Sequence, residues 1–179
     1  MKTQALACVF VSAFSFIGRK QGAASVQHWL MKSEPDEFGI DDLAAAPGKT
    51  TAWAGVRNYQ ARNFMREKMR AGDQVFFYHS SCPEPGIAGI AQVASGPYPD
   101  ASQFDPKSLY FDRAAKREAP RWFNVDVKFV KKTRLVSLAE LRGHRELAAM
   151  RVLASGNRLS ITPVHAREWE FITRRLIEL

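Results

Sequence analysis

Residues 74–95, QVFFYHSSCPEPGIAGIAQVAS, carry the clearest structural pattern in the chain. The first six, QVFFYH, are apolar on both faces and predict a buried strand, and Pro83 and Pro85 mark the loop that follows. The stretch 86–95, GIAGIAQVAS, predicts a second strand whose small residues allow close packing, as in the wall of a barrel. Because the two strands adjoin in sequence, we expect them to pair antiparallel.

The elements on either side of this pair mix strands and helices without a regular alternation. Further strands are predicted at 26–31, 124–129 and 158–162. Helices are predicted at 38–46, 58–70, 144–153 and after Pro163, and a capping box is predicted at 137–140. The connection 96–121 has 26 residues, a length typical of functional loops or of hidden local structure. This order favours an α+β fold, with a mostly antiparallel curved sheet or barrel and flanking helices.

The composition is that of one globular domain. The 179 residues are 46% hydrophobic and 25% charged, which excludes global disorder. Two cysteines, Cys8 and Cys82, exclude a disulfide framework, and the four scattered histidines lack the spacing of a structural zinc site. The phosphate-binding and nucleophile-elbow motifs are absent. We therefore predict neither a metal nor a cofactor.

The first 27 residues differ from the rest. They place three bases and no acid around a 13-residue apolar run at 5–17, which is too short to span a membrane but has the length of a signal-peptide core. We interpret 1–27 as an extension, either disordered or targeting the chain to an organelle or for secretion, and 28–179 as the domain. A net charge of +8 suits a polyanion, but without the extension it falls to +5, so the charge of the domain argues less for nucleic acid than that of the whole chain.

The stretch 53–63, WAGVRNYQARN, concentrates side chains suited to a nucleobase. An aromatic face such as that of Trp53 stacks on a base, amides read its hydrogen-bonding edge, and an arginine such as Arg57 pairs with phosphate. Structural roles stay open beside this one, with Trp53 as a core anchor and Asn58 as a helix N-cap.

Polar clusters also end two of the predicted strands. Lys32 and Ser33 follow the first, and Tyr78, His79 and Ser80 end the second. Pockets form where apolar strands end in polar side chains, so these residues are candidates for the same site. The alternatives are turn capping by the two serines and a hydrogen-bonded, partly buried imidazole at His79.

One predicted helix carries a row of arginines. Arg62, Arg66 and Arg70 recur at every fourth position within 58–70 and therefore share a face. The row suits contacts with a nucleic-acid backbone, and it equally suits a solvated helix face.

Six blocks of the sequence, in this order, resemble the EVE domain family of the PUA-like superfamily. They are HWLMKSEPDEFGIDDL, TTAWAGVRNYQARNFMR, GDQVFFYHSSC, GIAGIAQVASGPYPD, PRWFNVDVKF and RLSITPV. The resemblance runs from about residue 28 to the C-terminus and leaves 1–27 outside. Two positions depart from the family's pattern: Ala54, where an acidic or polar residue is common, and His28, where an aromatic such as tyrosine is usual.

The resemblance implies a PUA-like fold, a curved β-barrel with flanking helices, as in YTH, ASCH and SRA domains. It also implies a pocket for a modified base, with modified cytosine in DNA as the leading expectation and modified RNA as an alternative. The resemblance implies that Trp53 forms a wall of this pocket and that Lys32 and Ser33 lie at its mouth. Arg57 and Asn58 would bind the hydrogen-bonding edge of the base or the nucleic-acid backbone. The side opposite Trp53 would be formed by Tyr78, His79 and Ser80, and the rim by Arg158 and Ser160.

The function implied is that of a non-catalytic reader of nucleic acid bearing a modified base. We expect a monomer that is bacterial and cytoplasmic and does not contact membranes. Two other functions remain open. One is an ASCH-like amidohydrolase acting on a modified nucleoside, with Lys32 and Glu34 as a catalytic pair. The other is a general nucleic-acid interaction module that uses the basic surface.

Overall fold

The computed structural model describes residues 25–177. Within them, the strands are β1 (His28–Ser33), β2 (Thr50–Ala52), β3 (Gln74–His79), β4 (Gly86–Val93), β5 (Tyr98–Pro99), β6 (Phe123–Asn124), β7 (Asp126–Ser137) and β8 (Ile161–Val164). The α-helices are α1 (Ile40–Ala45), α2 (Tyr59–Asn63), α3 (Leu138–Arg142) and α4 (Ala166–Phe171). The second and the fourth continue as π-helical turns at Phe64–Lys68 and Ile172–Ile177. Short 3₁₀ turns lie at Pro47–Lys49, Ala101–Phe104, Arg145–Leu147 and Arg151–Leu153.

Six of the strands form one sheet in the order β2-β7-β4-β3-β1-β8, and β5 pairs with β6 in a small second sheet. All pairs are antiparallel except β1 with β3, which are parallel. Parallel neighbours need a long connection, and here the chain passes through α1, β2 and α2 between them. The predicted antiparallel pairing of 74–79 with 86–95 is confirmed, with Phe76 opposite Ile90. The α+β class and the mostly antiparallel sheet are confirmed.

The sheet has two ends among the described residues. The end strands β2 and β8 have three and four residues, and no ladder joins them, so no hydrogen-bonded closure of a barrel forms in residues 25–177. The barrel expected from the resemblance is therefore an open six-stranded sheet by its hydrogen bonds.

Both faces of this sheet are buried. In β3, Val75 and Phe77 enter one apolar core while Phe76 and Tyr78 enter another. The first core includes residues of α1 and α2, and the second includes residues of α3, α4 and the turns between them. This arrangement explains why QVFFYH is apolar throughout rather than alternating.

Several predicted elements changed in extent. The strand predicted at 124–129 runs on to Ser137, whose hydroxyl accepts a hydrogen bond from the Glu140 amide and caps α3. The Glu140 carboxylate binds Arg134, so half of the predicted capping box is present. The helix predicted at 144–153 is wrong: two 3₁₀ turns replace it, because His144 and Met150 adopt extended backbone conformations. No helix within 25–177 is both long and apolar enough to cross a membrane.

The predicted extension falls almost entirely on residues 1–24, outside the described part of the chain. Residues 25–27, the remainder of that extension, are described, and there the amide of Gln27 donates a hydrogen bond of 3.0 Å to Asp73.

The Asp73 side chain, directly before β3, links three segments of the chain. Its buried carboxylate accepts hydrogen bonds from the amides of Gln27 and Arg70 and from the indole Nε1 of Trp29, each at 3.0 Å. Removing it in Asp73→Ala leaves donors without a partner, so we expect the free energy of unfolding to fall by about 3–5 kcal/mol. Urea denaturation followed by circular dichroism measures this loss. The matched control is the exposed Asp36→Ala, and equal stabilities of the two variants would contradict the assignment.

Candidate functional site

A cavity of about 600 Å³ opens beside the end of β1 and the connection between β2 and α2. Its lining combines small polar groups, one indole and three cationic side chains. The residues are Lys32, Ser33, Glu34, Glu37, Phe38, Thr51, Ala52, Trp53, Ala54, Gly55, Val56, Arg57, Ser80, Ser81, Tyr110, Arg158 and Ser160. Seven of the residues predicted from the sequence therefore come together here.

The end of β1 forms one side of the cavity. The amide of Lys32 donates to the carbonyl of Ser160 at 2.8 Å, and the hydroxyl of Ser33 donates to the carbonyl of Phe38 at 2.6 Å. The amide of Ser80 donates to the carbonyl of Ser33 at 2.8 Å, which brings the ends of β1 and β3 together. The end of β1, the end of β3 and the residue before β8 thus lie together at the cavity.

Lys32 is a half-buried cationic side chain of the cavity lining. Its Nζ lies 3.4 Å from the carbonyl oxygen of Asn157. Burial lowers the pKa of Lys32, because desolvation disfavours the ammonium form. An acceptor brought into the cavity would therefore meet a poorly solvated donor.

Trp53 is a core residue that also lines the cavity. Its side chain is 8% exposed, and its ring meets that of Phe77 edge-on at a centroid distance of 5.5 Å. Its amide donates to the carbonyl of Val125 at 2.8 Å. Trp53 therefore packs in the first core and lines the cavity at the same time.

Arg57 organises the other side of the cavity. Its guanidinium donates to Asp100 Oδ2 at 2.9 Å, to Ser102 Oγ at 3.0 Å and to the carbonyl of Tyr110. The same group lies over the rings of Tyr110 and Trp122, at 5.2 and 5.3 Å from their centroids. Arg57 therefore holds the 96–121 loop against the cavity.

Asp100 is the buried partner in this cluster, at 2% exposure. Burial alone would raise its pKa, but hydrogen bonds from Ser102, Arg57 and the Gly55 amide hold the pKa below its ordinary range. The carboxylate is thus charged and fully engaged at neutral pH.

Tyr110 is a lining residue that the sequence analysis missed. Its ring lies so close to Gly55 that an added Cβ there would be 2.7 Å from it, and Gly55 adopts a φ of +78°. Both features require glycine at this position. The length of the 96–121 loop was the available signal, although it pointed to no particular residue.

Three predicted site residues lie outside the cavity lining. The Asn58 side chain caps α2 by accepting from the amides of Gln60 and Ala61, the structural role left open above. Tyr78 points into the opposite core, where burial raises its pKa to about 12. His79 accepts a hydrogen bond from the Ile40 amide at 3.2 Å, and burial lowers its pKa.

The arginine row of the predicted helix has mixed surroundings. Arg62 donates to the carbonyl of Arg121 and lies 4.9 Å from the ring centroid of Tyr59. The exposed Arg66 pairs with Glu67, and Arg70 donates to the carbonyls of Met69 and Glu67. Arg62 is therefore part of an arginine–aromatic cluster, and Arg66, on the π-helical turn, lies 5.7 Å from the ring centroid of Phe123. Arg70 lies beyond the end of that turn at Lys68, so the row predicted for a helix over 58–70 does not continue to Arg70.

That cluster contains further residues that the sequence analysis missed. Tyr59 stacks on Trp122 at a centroid distance of 5.0 Å, and Arg121 donates to the hydroxyl of Tyr59. Trp122 also lies against Arg57, which joins the cluster to the cavity mouth. Among residues 25–177, no group of three or more histidine, cysteine, aspartate or glutamate side chains is arranged to hold a metal ion.

Comparison with known proteins identifies the family of this domain. The profile of the EVE domain matches residues 27–175. The chain belongs to the EVE domain family. The resemblance seen in the sequence is confirmed, and the match includes the whole cavity lining and the 96–121 loop.

Relatives of this EVE domain occur in animals and bacteria. It is 44% identical over 163 residues to human thymocyte nuclear protein 1, covering 81% of this chain and 71% of the relative. A crystal structure of a Pseudomonas syringae protein is 48% identical, with a TM-score of 0.77 over 82% of this chain and 97% of that one. The crystal structure of the human THYN1 protein in complex with DNA containing 5-methylcytosine is 44% identical, with a TM-score of 0.77 over 82% of this chain and 95% of that one.

Proposed function

We propose that this EVE domain is a non-catalytic reader that binds a modified cytosine of DNA, turned out of the duplex, in the cavity beside Trp53. The observation that carries the proposal is the cavity itself, because it joins an aromatic edge, polar strand ends and cationic side chains in one place. Its volume of about 600 Å³ lies within the roughly 300–1,000 Å³ of small-ligand pockets. The THYN1 complex with methylated DNA supports the choice of cytosine.

The cavity supplies the groups that base recognition needs. Trp53 offers aromatic surface to the cavity, and stacking of a base on an aromatic ring contributes about 1–3 kcal/mol. Lys32 and the serine hydroxyls can reach the polar edge of a cytosine, while small residues such as Ala54 leave room for a substituent. The choice of base rests on these groups.

The surface beside the cavity supplies contacts with the phosphate backbone. Extruding a paired base costs a few kcal/mol, which backbone contacts must offset. Arg62 and Arg66 from the predicted row, together with Arg121 next to Arg62, are the candidates. Arg158 stands exposed at the cavity rim and can contact a phosphate next to the extruded nucleotide.

The geometry favours a reader over the amidohydrolase alternative. Lys32 and Glu34 both line the cavity, but no ion pair joins them in the described structure. Glu34 instead accepts a hydrogen bond from the Ser81 hydroxyl at 2.8 Å, while Lys32 reaches the carbonyl of Asn157. The two side chains are therefore each held by another partner rather than by one another.

Blocking the cavity tests the proposal. Fluorescence anisotropy compares the affinities of the protein for one duplex with a central 5-methylcytosine and the same duplex with cytosine. We expect the wild type to prefer the methylated duplex and Ala54→Trp to lose the preference, because Ala54 is exposed and lines the cavity. Ala149→Trp, also at an exposed alanine but outside the cavity, is the matched control and should keep the preference.

The same samples separate the alternatives. Mass spectrometry of the oligonucleotide should show no change after incubation, whereas turnover would contradict a reader. Equal affinity for modified and unmodified duplexes by the wild type would support a general interaction module instead. A single-stranded RNA with 5-methylcytosine, added as a competitor, distinguishes an RNA preference from a DNA preference.

A further inference from the structure

Leu109 stands out among the apolar side chains of the described residues. Its side chain is 99% exposed, so it contributes no packing to the folded domain. It lies in a turn in which the amide of Phe111 donates to the carbonyl of Ser108 at 3.1 Å and the amide of Tyr110 donates to the Ser108 hydroxyl at 3.0 Å. Leu109 and Tyr110 are the two central residues of this turn.

The base of the loop is held firmly. The fully buried side chain of Gln103 donates to the carbonyls of Asp100 and Trp122 and accepts from the amides of Arg121 and Trp122. The amide of Asp112 donates to the carbonyl of Gln103 at 3.0 Å. The turn at Leu109 is therefore carried on an ordered support.

The position of the turn relates it to the cavity. Tyr110 lines the cavity, contacts Gly55 and accepts hydrogen bonds from Arg57 through its carbonyl. Leu109 is its chain neighbour, so its Cα lies about 3.8 Å from that of Tyr110. A fully exposed apolar side chain thus stands one residue from the cavity mouth.

Basic and acidic side chains both lie near the turn. Lys107 and Arg113 flank it and are exposed. The acidic residues nearby are engaged within the loop: Asp105 accepts from the Lys107 amide at 2.9 Å, and Asp112 accepts from the Trp122 indole at 2.7 Å. The turn therefore offers one apolar tip between the exposed Lys107 and Arg113, while Arg121 pairs with Asp112 at 3.3 Å and balances its charge.

We propose that Leu109 is a wedge that enters the DNA base stack where the modified cytosine has left it, an inference that rests on the proposed reader function. Extrusion of a base leaves a gap between its neighbours, and apolar side chains inserted between base steps are an established way for proteins to fill such openings. Leu109 exchanges water for the apolar faces of the neighbouring bases, while Lys107 and Arg113 lie close to the phosphates on either side. The turn thereby keeps the duplex open while the cavity holds the base.

The experiment compares duplex and single-stranded probes, because only a duplex has a gap to fill. The affinity of the wild type and of Leu109→Ser is measured by anisotropy for a methylated duplex and for its methylated strand alone. We expect Leu109→Ser to weaken duplex binding about tenfold and single-strand binding less than about twofold. Leu109→Met, which keeps an apolar tip, should bind the duplex within about twofold of the wild type.

A matched control comes from Val130, another exposed apolar residue, on β7. Val130→Ser should leave the affinities for both probes unchanged. Equal weakening of both probes by Leu109→Ser, or no weakening of either, would overturn the wedge, and the second result would leave the exposed tip to a protein partner. Failure of the wild type to distinguish methylated from unmethylated duplex would instead overturn the reader function.

Discussion

The Arg57→Ala variant is expected to lose about 3 kcal/mol or more of its free energy of unfolding, because it leaves the Asp100 carboxylate buried without its cationic partner. Asp100 is 2% exposed and lies 2.9 Å from the guanidinium of Arg57. The remaining donors, Ser102 and the Gly55 amide, keep part of the interaction, which places the loss near the lower end for buried pairs. Urea denaturation at pH 7 measures the difference.

The pH dependence provides a second signature of the same pair. The pKa of Asp100 in the folded protein lies below its ordinary value of 3.8. As the pH falls, Asp100 is therefore protonated in the unfolded chain before it is protonated in the folded protein. The stability that this carboxylate contributes is complete above the ordinary pKa and is lost as the pH falls through the lower pKa of the folded protein. Arg57→Ala should show a smaller loss of stability on acidification than the wild type.

An exposed pair serves as the control for Arg57. Arg134 pairs with Glu140 at 2.6 Å on the surface, where an ion pair contributes at most about 1 kcal/mol. Arg134→Ala should therefore be little destabilised. A loss for Arg57→Ala no larger than that for Arg134→Ala would show that the cluster at Asp100 does not stabilise the loop.

The Trp53→Ala variant is expected to lose both stability and base preference. Truncating a buried tryptophan costs about 3–5 kcal/mol of unfolding free energy, since Trp53 packs against Phe77 in the first core. The same change removes the aromatic edge of the cavity, so the preference for a methylated duplex should fall roughly tenfold or more. Binding is measured at low temperature after circular dichroism has shown that the variant is folded.

Trp169 separates the two effects. It is 9% exposed and lies in the second core, on the opposite side of the sheet. Trp169→Ala should therefore be destabilised to a similar degree while keeping the preference for methylated DNA. Equal loss of preference in both variants would show that the effect of Trp53 comes from general loosening of the domain, and Trp53→Phe, which keeps an aromatic ring, should retain part of the preference.

The sequence predicts best those features that depend on local pattern. The bounds of β3 at 74–79 and the cap at Asn58 follow from apolar runs and short side-chain contacts, and both are present. The helix predicted at 144–153 failed because its apolar residues anchor separate turns to the second core, a contact that periodicity does not distinguish from a continuous helix.

In the cavity, too, the sequence predicted the residues with a local signal and missed those whose roles depend on distant contacts. Trp53, Arg57 and the end of β1 were recognisable because their chemistry is unusual for a core segment or because they follow a strand. Tyr110 and Asp100 were not, since their roles depend on contacts with Arg57 and Gly55 across more than 40 positions of sequence. Tyr78 and His79 show the converse, because strand alternation sends one of them to the far core and the other to the start of α1.

The attachment of the 96–121 loop through Arg57 has a consequence for motion. The sheet is stabilised by two apolar cores, whereas the loop is attached through polar contacts of Arg57 with the buried Asp100 and with the Tyr110 carbonyl. Regions held by few apolar contacts open at a lower free energy than the core elements of the same domain. We therefore expect the cavity mouth near Tyr110 to open at a lower free energy than the sheet, which would give an extruded base a way in and out without unfolding of the domain.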